Sequence, residues 1–297
     1  MKKWCLFLSL YFCLCLLAAC AGGDISAAGA DSGGTPSEET QAGGETTEPG
    51  QVTETFRLVD AGDSGQPAIL AKADGTSGDV YTLDLFGVEN VTLEGYTAEE
   101  MAAMDWSPVA GALVEVTWNG TVLESYPAQF GEVTAVCILE DGFNDLCRLY
   151  RDVLNDLWEA DPGLNDGITE LGVDLSETSL PESERAAVAY AFGMDHGLMP
   201  VEGTYQELVD QGYIDGEELF WEDGCLFSIK ETQDEDPVVF SLPAFGPGDE
   251  MPDYNGVRFD AEKWRSGTGA YFFSDCTAVR NGGGQWGDYA VGAEAIS

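Results

Sequence analysis

The chain has 297 residues and a formal net charge of −42, from 54 acidic against 12 basic side chains. Such a charge repels nucleic acid and anionic lipid heads, which excludes DNA and RNA as partners. Apolar residues make up 44% and aromatic ones 11%, enough to build hydrophobic cores.

The chain opens Met1-Lys2-Lys3, runs apolar from Trp4 to Leu17 and then reads Leu17-Ala18-Ala19-Cys20. A basic start, a short apolar core and small residues before a cut predict a signal peptide over residues 1–19. The run falls short of the roughly 20 apolar residues that cross a bilayer. Leu-Ala-Ala-Cys resembles the lipobox of bacterial lipoproteins. The resemblance implies that Cys20 carries a lipid and becomes the mature N-terminus. Each buried acyl CH₂ then contributes about 0.8 kcal/mol to membrane attachment. Residues 20–50 follow as an acidic tether rich in Gly, Ser and Thr, with no Lys or Arg between Lys3 and Arg57.

Residues 52–139 read as short strands broken by turns. They are expected at 56–60, 68–73, 80–85, 113–118, 121–126 and 132–138, with a helix over 97–104 capped by Thr97. Asn119-Gly120 favours the positive φ of a tight turn, so strands 114–118 and 121–125 are expected to form a hairpin. The pattern suits a small OB-like β-barrel. Tyr126-Pro127-Ala128-Gln129 and the hairpin resemble the small barrel modules of firmicute lipoproteins.

Residues 140–297 change character. Helices are expected over 144–160, 183–196 and 204–211, the first from apolar spacing and the third from Thr204 and Glu207 as a capping box. Strands follow at 219–221, 225–231, 238–242, 257–265, 269–280 and 285–296. Helices followed by a mainly antiparallel sheet make an α+β domain, so the whole chain is expected to be α+β with two domains. The long last strands resemble NTF2-like or cystatin-like sheets, which implies a sheet wrapped on a helix with a pocket in its concave face.

The motifs exclude more than they assign. Gly62-Asp63-Ser64-Gly65-Gln66-Pro67 resembles the serine segment of chymotrypsin-like proteases. The single histidine, His196, lies downstream of Ser64, so a triad in that order is ruled out and a turn is expected. His196 suits the C-terminal end of a helix, where an imidazolium meets the dipole. One histidine also excludes zinc centres built on two or three. Asp161 to Glu170 fails the EF-hand register, because Gly163 stands where a ligand belongs. Cys137, Cys147, Cys225 and Cys276 form no Cys-x-x-Cys pair and are either disulfide partners or single buried thiols. Nothing calls for a cofactor, a metal or a catalytic residue.

One compositional anomaly is positive. Arg258, Lys263, Arg265 and Arg280 fall within 23 positions among Trp264, Tyr271, Phe272, Phe273 and Trp286. Cations and aromatics on one sheet face could form a ligand site, giving Lys263, Trp264, Arg265, Arg258 and Arg280 as candidates. Ordinary ion pairs and core packing are the competing account.

The whole chain resembles extracytoplasmic lipoproteins of firmicute bacteria with no known activity. The expected function is a lipid-anchored, non-catalytic binding or interaction protein on the outer face of the cell membrane. Its ligand would be an envelope glycan, a peptide or a small molecule. The alternative is a hydrolase of a cell-envelope polymer, which would show two carboxylates about 5–10 Å apart in a concave pocket. A pocket lined by Lys263, Trp264 and Arg265 would favour binding.

Overall fold

The computed structural model describes residues 50–63, 65–97, 99–100, 107–232 and 255–297. The leader, Cys20, the tether up to residue 49, Ser64, most of the helix expected over 97–104 and the strand expected at 238–242 lie outside them. Thr97 and Glu100 are described, and they exchange the hydrogen bonds of a capping box.

Eight strands form the first sheet: β1 (Val52–Asp60), β2 (Ala68–Lys72), β3 (Val80–Leu83), β4 (Val91–Leu93), β5 (Leu113–Trp118), β6 (Val122–Leu123), β7 (Ala128–Phe130) and β8 (Val133–Ile138). Their order is β4-β8-β5-β1-β2-β3-β7-β6, antiparallel except at β4–β8 and β3–β7. Alternation sends Phe56, Leu58, Val116 and Trp118 to one face, where they bury with Tyr81 and Phe130. The Trp118 and Phe130 rings meet at 5.1 Å although their strands lie four places apart. A flat sheet would hold such strands about 19 Å apart, so this sheet curls around its own aromatic cluster. The curl stops short of the expected barrel. β4 and β6 are the ends of the strand order, and no ladder joins them among the described residues.

The Asn119-Gly120 hairpin is also corrected. Gly120 takes φ +77° and the Asn119 side chain accepts from Thr121 N, so the turn exists. Both edges of β5 are already taken by β1 and β8, however. The chain turns away from β5 here and rejoins the sheet at its far end, where β6 pairs forward with β7 instead.

Three helices and a six-stranded sheet complete the α+β fold. The helices are α1 (Leu146–Glu159), α2 (Glu182–Asp195) and α3 (Tyr205–Asp210). The strands are β9 (Glu170–Asp174), β10 (Pro200–Glu202), β11 (Gly224–Glu231), β12 (Asn255–Ser266), β13 (Gly269–Arg280) and β14 (Ala293–Ile296), in the order β10-β9-β11-β12-β13-β14. β10, β9 and β11 run parallel, and the ladders from β11 to β14 are antiparallel. The segment 219–221 contributes only a bridge at Phe220, and 285–296 pairs regularly only from Ala293.

Helix α1 carries the expected stripe: Leu146, Leu149, Tyr150, Val153, Leu154 and Leu157 are all buried. Each such aliphatic side chain contributes roughly 1.5–3 kcal/mol by leaving water. The stripe packs with α2 on the inner face of the second sheet, against Phe227, Phe259 and Ala261. Val59, Ile69, Ala71 and Val80 of the first sheet join the same cluster. Both sheets therefore share a core through α1 and α2, although their strands are separated near residue 139. A buried ion pair reinforces the seam: Arg57 Nε lies 3.2 Å from Glu184 Oε1, and the Cys147 thiol donates to Glu184. Cys137, Cys147, Cys225 and Cys276 are all free, which selects single thiols over disulfides.

Candidate functional site

The outer face of the second sheet, turned away from α1, carries the candidate site. Side chains alternate along β12, so Val257, Phe259, Ala261 and Lys263 face the helices. Asp260, Glu262 and Trp264 face outward. Ladder register then sets the outward side chains in rows. Asp174, Ser228, Glu262 and Phe272 form one row across β9, β11, β12 and β13. Gly172, Leu226, Trp264 and Ala270 form the next, and Lys230 lies opposite Asp260 on the other side.

Helix α3 walls one end of these rows. Thr204 and Glu207 close its capping box, which fixes Tyr205 in the first turn. Tyr205 meets Trp264 edge to face, with ring centroids 5.0 Å apart and planes at 88°. Below α3, Trp221 lies against bare backbone. A Cβ on Gly224 would sit 2.0 Å from its ring and one on Gly172 would sit 2.7 Å away, so neither position admits a side chain. The indole Nε1 donates to Glu170 at 2.7 Å, and Leu208, Ile214 and Leu226 bury around the ring.

The result is a cavity of about 510 Å³ with Tyr205, Trp264 and Phe272 among its walls and Asp174, Asp260 and Glu262 among its polar groups. Volumes of this order hold small molecules. Asp174 accepts from the Ser176 amide and hydroxyl through one oxygen, and Asp260 accepts from the Asp275 amide through one oxygen. Glu262 has no hydrogen-bond or ion-pair partner among the described residues. Burial alone pushes its carboxyl above the ordinary glutamate range. Lys230 pairs with Glu177, both more than half exposed, so that bridge holds little energy. The hydroxyl of Tyr205 is buried without a hydrogen-bond partner.

The structure separates the five candidate residues. Trp264 lines the cavity. Lys263 is 0% exposed on the opposite face. Its ammonium donates to Trp158 O at 3.2 Å, Asp161 O at 3.0 Å, Asn165 Oδ1 at 2.8 Å and the Ala160 carbonyl. These acceptors include carbonyls left open at the C-terminus of α1, so Lys263 closes the helix end. Burial lowers its pKa, while the acids Asp161 and Glu159 oppose the shift. Arg265 donates to the carbonyls of Leu164, Asp166 and Glu222 and pins the same loop. Arg280 donates to the carbonyls of Gly284 and Phe143. Arg258 stands far along β12, opposite Thr277. Consecutive residues of a strand point to opposite faces, so Lys263, Trp264 and Arg265 do not converge.

The remaining motifs resolve into structure. Asp63 accepts from the amides of Gly65 and Gln66, closing the turn between β1 and β2. His196 follows α2, donates from Nε2 to Asn155 Oδ1 at 2.8 Å, and stacks on Trp158 at 3.8 Å. Burial lowers its pKa against the opposing pull of Asp195 and Glu159, which disfavours the imidazolium expected at the helix end. No group of three His, Cys, Asp or Glu among the described residues could hold a metal, and no described helix is long and apolar enough to cross a membrane. The outward acidic and aromatic rows were not singled out from the sequence. The alternation Asp260-x-Glu262-x-Trp264 was the available signal.

Comparison with protein families, curated proteins and solved structures gives no match for this chain. Its function rests on its own geometry.

Proposed function

We propose that this protein is anchored by a lipid on Cys20 to the extracytoplasmic face of a cell membrane and binds a small or envelope-derived ligand without transforming it. The observation that carries the binding reading is the outer-face cavity, which joins aromatic walls to an unpartnered carboxylate at Glu262. The leader ending in Leu-Ala-Ala-Cys supports the anchoring. The curled first sheet, read as an opened relative of the OB-like barrel, gives the body a second firm layer around α1 and α2.

A hydrolase reading has one observation in its favour. Asp174 lies two strands from Glu262 and Asp260 two residues from it, which spaces their backbones about 10 Å and about 7 Å apart. Carboxylate pairs at such separations can flank a glycosidic bond. Binding is preferred because Asp174 and Asp260 each commit one oxygen to a donor, Ser176 and the Asp275 amide of β13, which holds them as fixed countercharges and leaves Glu262 without a partner acid free to share its chemistry.

The anchoring is tested by fractionation. Cys20→Ala should move the protein from the membrane to the soluble fraction. The binding reading is tested by thermal shift with envelope sugars and peptides. A ligand that raises the melting temperature of the wild type should fail with Trp264→Ala. Release of product from such a ligand, abolished by Glu262→Gln, would instead establish the hydrolase.

A further inference from the structure

We propose that the outer-face cavity selects an organic ammonium ion, with the charge held by Glu262, Asp174 and Asp260 and the carbons held by Tyr205, Trp264 and Phe272. The inference rests on the binding reading above and names its ligand class.

Three independent features converge on it. The first is charge. Asp174, Glu177, Asp260 and Glu262 face the cavity, with Lys230 as the single lining cation among the described residues, and Lys230 is spent on Glu177. A phosphate or carboxylate ligand would be repelled here, and the −42 charge of the whole chain adds to the repulsion.

The second is the aromatic wall. Trp264 and Tyr205 stand perpendicular, one ring presenting its face where the other presents its edge. Phe272 comes from the neighbouring strand, directly beside Glu262. Ring faces attract ammonium groups and also cover their carbons. A bare metal ion would gain nothing from three such rings, whereas an alkylated cation uses both surfaces.

The third is the state of Glu262. A half-buried carboxylate ordinarily has a donor or a cation beside it, because burial without one is costly. Every other acid named in the cavity has such a partner: Asp174 has Ser176, Asp260 has Asp275 and Glu177 has Lys230. Glu262 sits between Ser228 and Phe272 with its charge open toward the cavity. An incoming ammonium would complete it.

A diffuse counter-ion cloud around an acidic protein would also collect cations, and the experiment separates the two. The full chain, purified in detergent, is titrated calorimetrically in 150 mM salt (about an 8 Å screening length). The probes are choline and its neutral isostere 3,3-dimethyl-1-butanol, cadaverine and its neutral counterpart 1,5-pentanediol, and N-acetylglucosamine as a neutral sugar. At least one of the two ammonium ions should bind ten-fold or more tightly than its neutral counterpart. Glu262→Gln and Trp264→Ala should each weaken that binding about ten-fold or more. Their melting temperatures and circular dichroism serve to show that they remain folded, and a Glu124→Gln control, an exposed acid outside the cavity lining, should change binding less than three-fold. Equal binding of charged and neutral partners, or cation binding untouched by both variants, would overturn the inference. A Trp264-dependent response to N-acetylglucosamine alone would overturn it while leaving the binding reading intact. Silence from every probe would count against both.

Discussion

Glu262 and Lys263 are neighbours in sequence and opposites in circumstance. Lys263 points inward and meets a ready-made set of neutral acceptors at the end of α1. Glu262 points outward into a cavity and meets no donor or cation among the described residues. The difference teaches that burial depth does not show which charge in this sheet lacks a partner. The fully buried cation is structurally satisfied, and the half-buried anion beside it is the one left open. A fixed frame and the wall of a cavity are built on the two faces of one strand.

The sharpest way to break that contrast is to remove the inner charge. Lys263→Met should destabilise the protein by about 3 kcal/mol, because several buried oxygens lose their donor together. Urea denaturation checks it, and a loss below about 1 kcal/mol would show that water replaces the ammonium. Arg265→Gln should cost less, about 1 to 2 kcal/mol, since solvent can reach part of its loop. Ligand binding at the outer face should survive the Arg265 change, which separates the frame from the site.

Much of the frame was legible in residue order. The Leu146-to-Leu157 stripe repeats at helical spacing, and Thr204 with Glu207 announces α3 three residues apart. The limits of β13 at Gly269 and Arg280 agree with the expected strand, although a bulge between Phe273 and Cys276 interrupts its alternation. Strands β9 and β10 were not legible, because they pair in parallel with partners distant in sequence and are only five and three residues long. The hairpin at Asn119-Gly120 was misread because a turn signal carries no information about whether β5 has a free edge. The candidate cluster disperses for a related reason. Lys263, Trp264 and Arg265 looked like one cluster by proximity, yet the two-residue period of a strand had already divided them. Glu262 does not stand out among the 54 acids of the sequence, and only the fold shows that it is half-buried in a cavity wall with no partner among the described residues.

The smallest effect tests the outer half of the contrast. Burial raises the Glu262 pKa in the folded state, so the folded protein holds that proton more tightly than the unfolded chain does. Below the unfolded value, about pH 4, both states are protonated and the site carries no electrostatic cost. As pH rises through the folded value, the carboxylate ionises in a place with no cation, and that part of the stability is lost. Glutamine never ionises, so Glu262→Gln should be more stable than the wild type near neutral pH, by less than about 1 kcal/mol because solvent screens a half-exposed group. The advantage should shrink toward pH 4, and a bound ammonium ion should shrink it at neutral pH as well, by supplying the missing countercharge. A melting-temperature difference that stays constant from pH 4 to pH 8 would mean that Glu262 is as well solvated as any surface acid. The two faces of β12 would then differ only in depth.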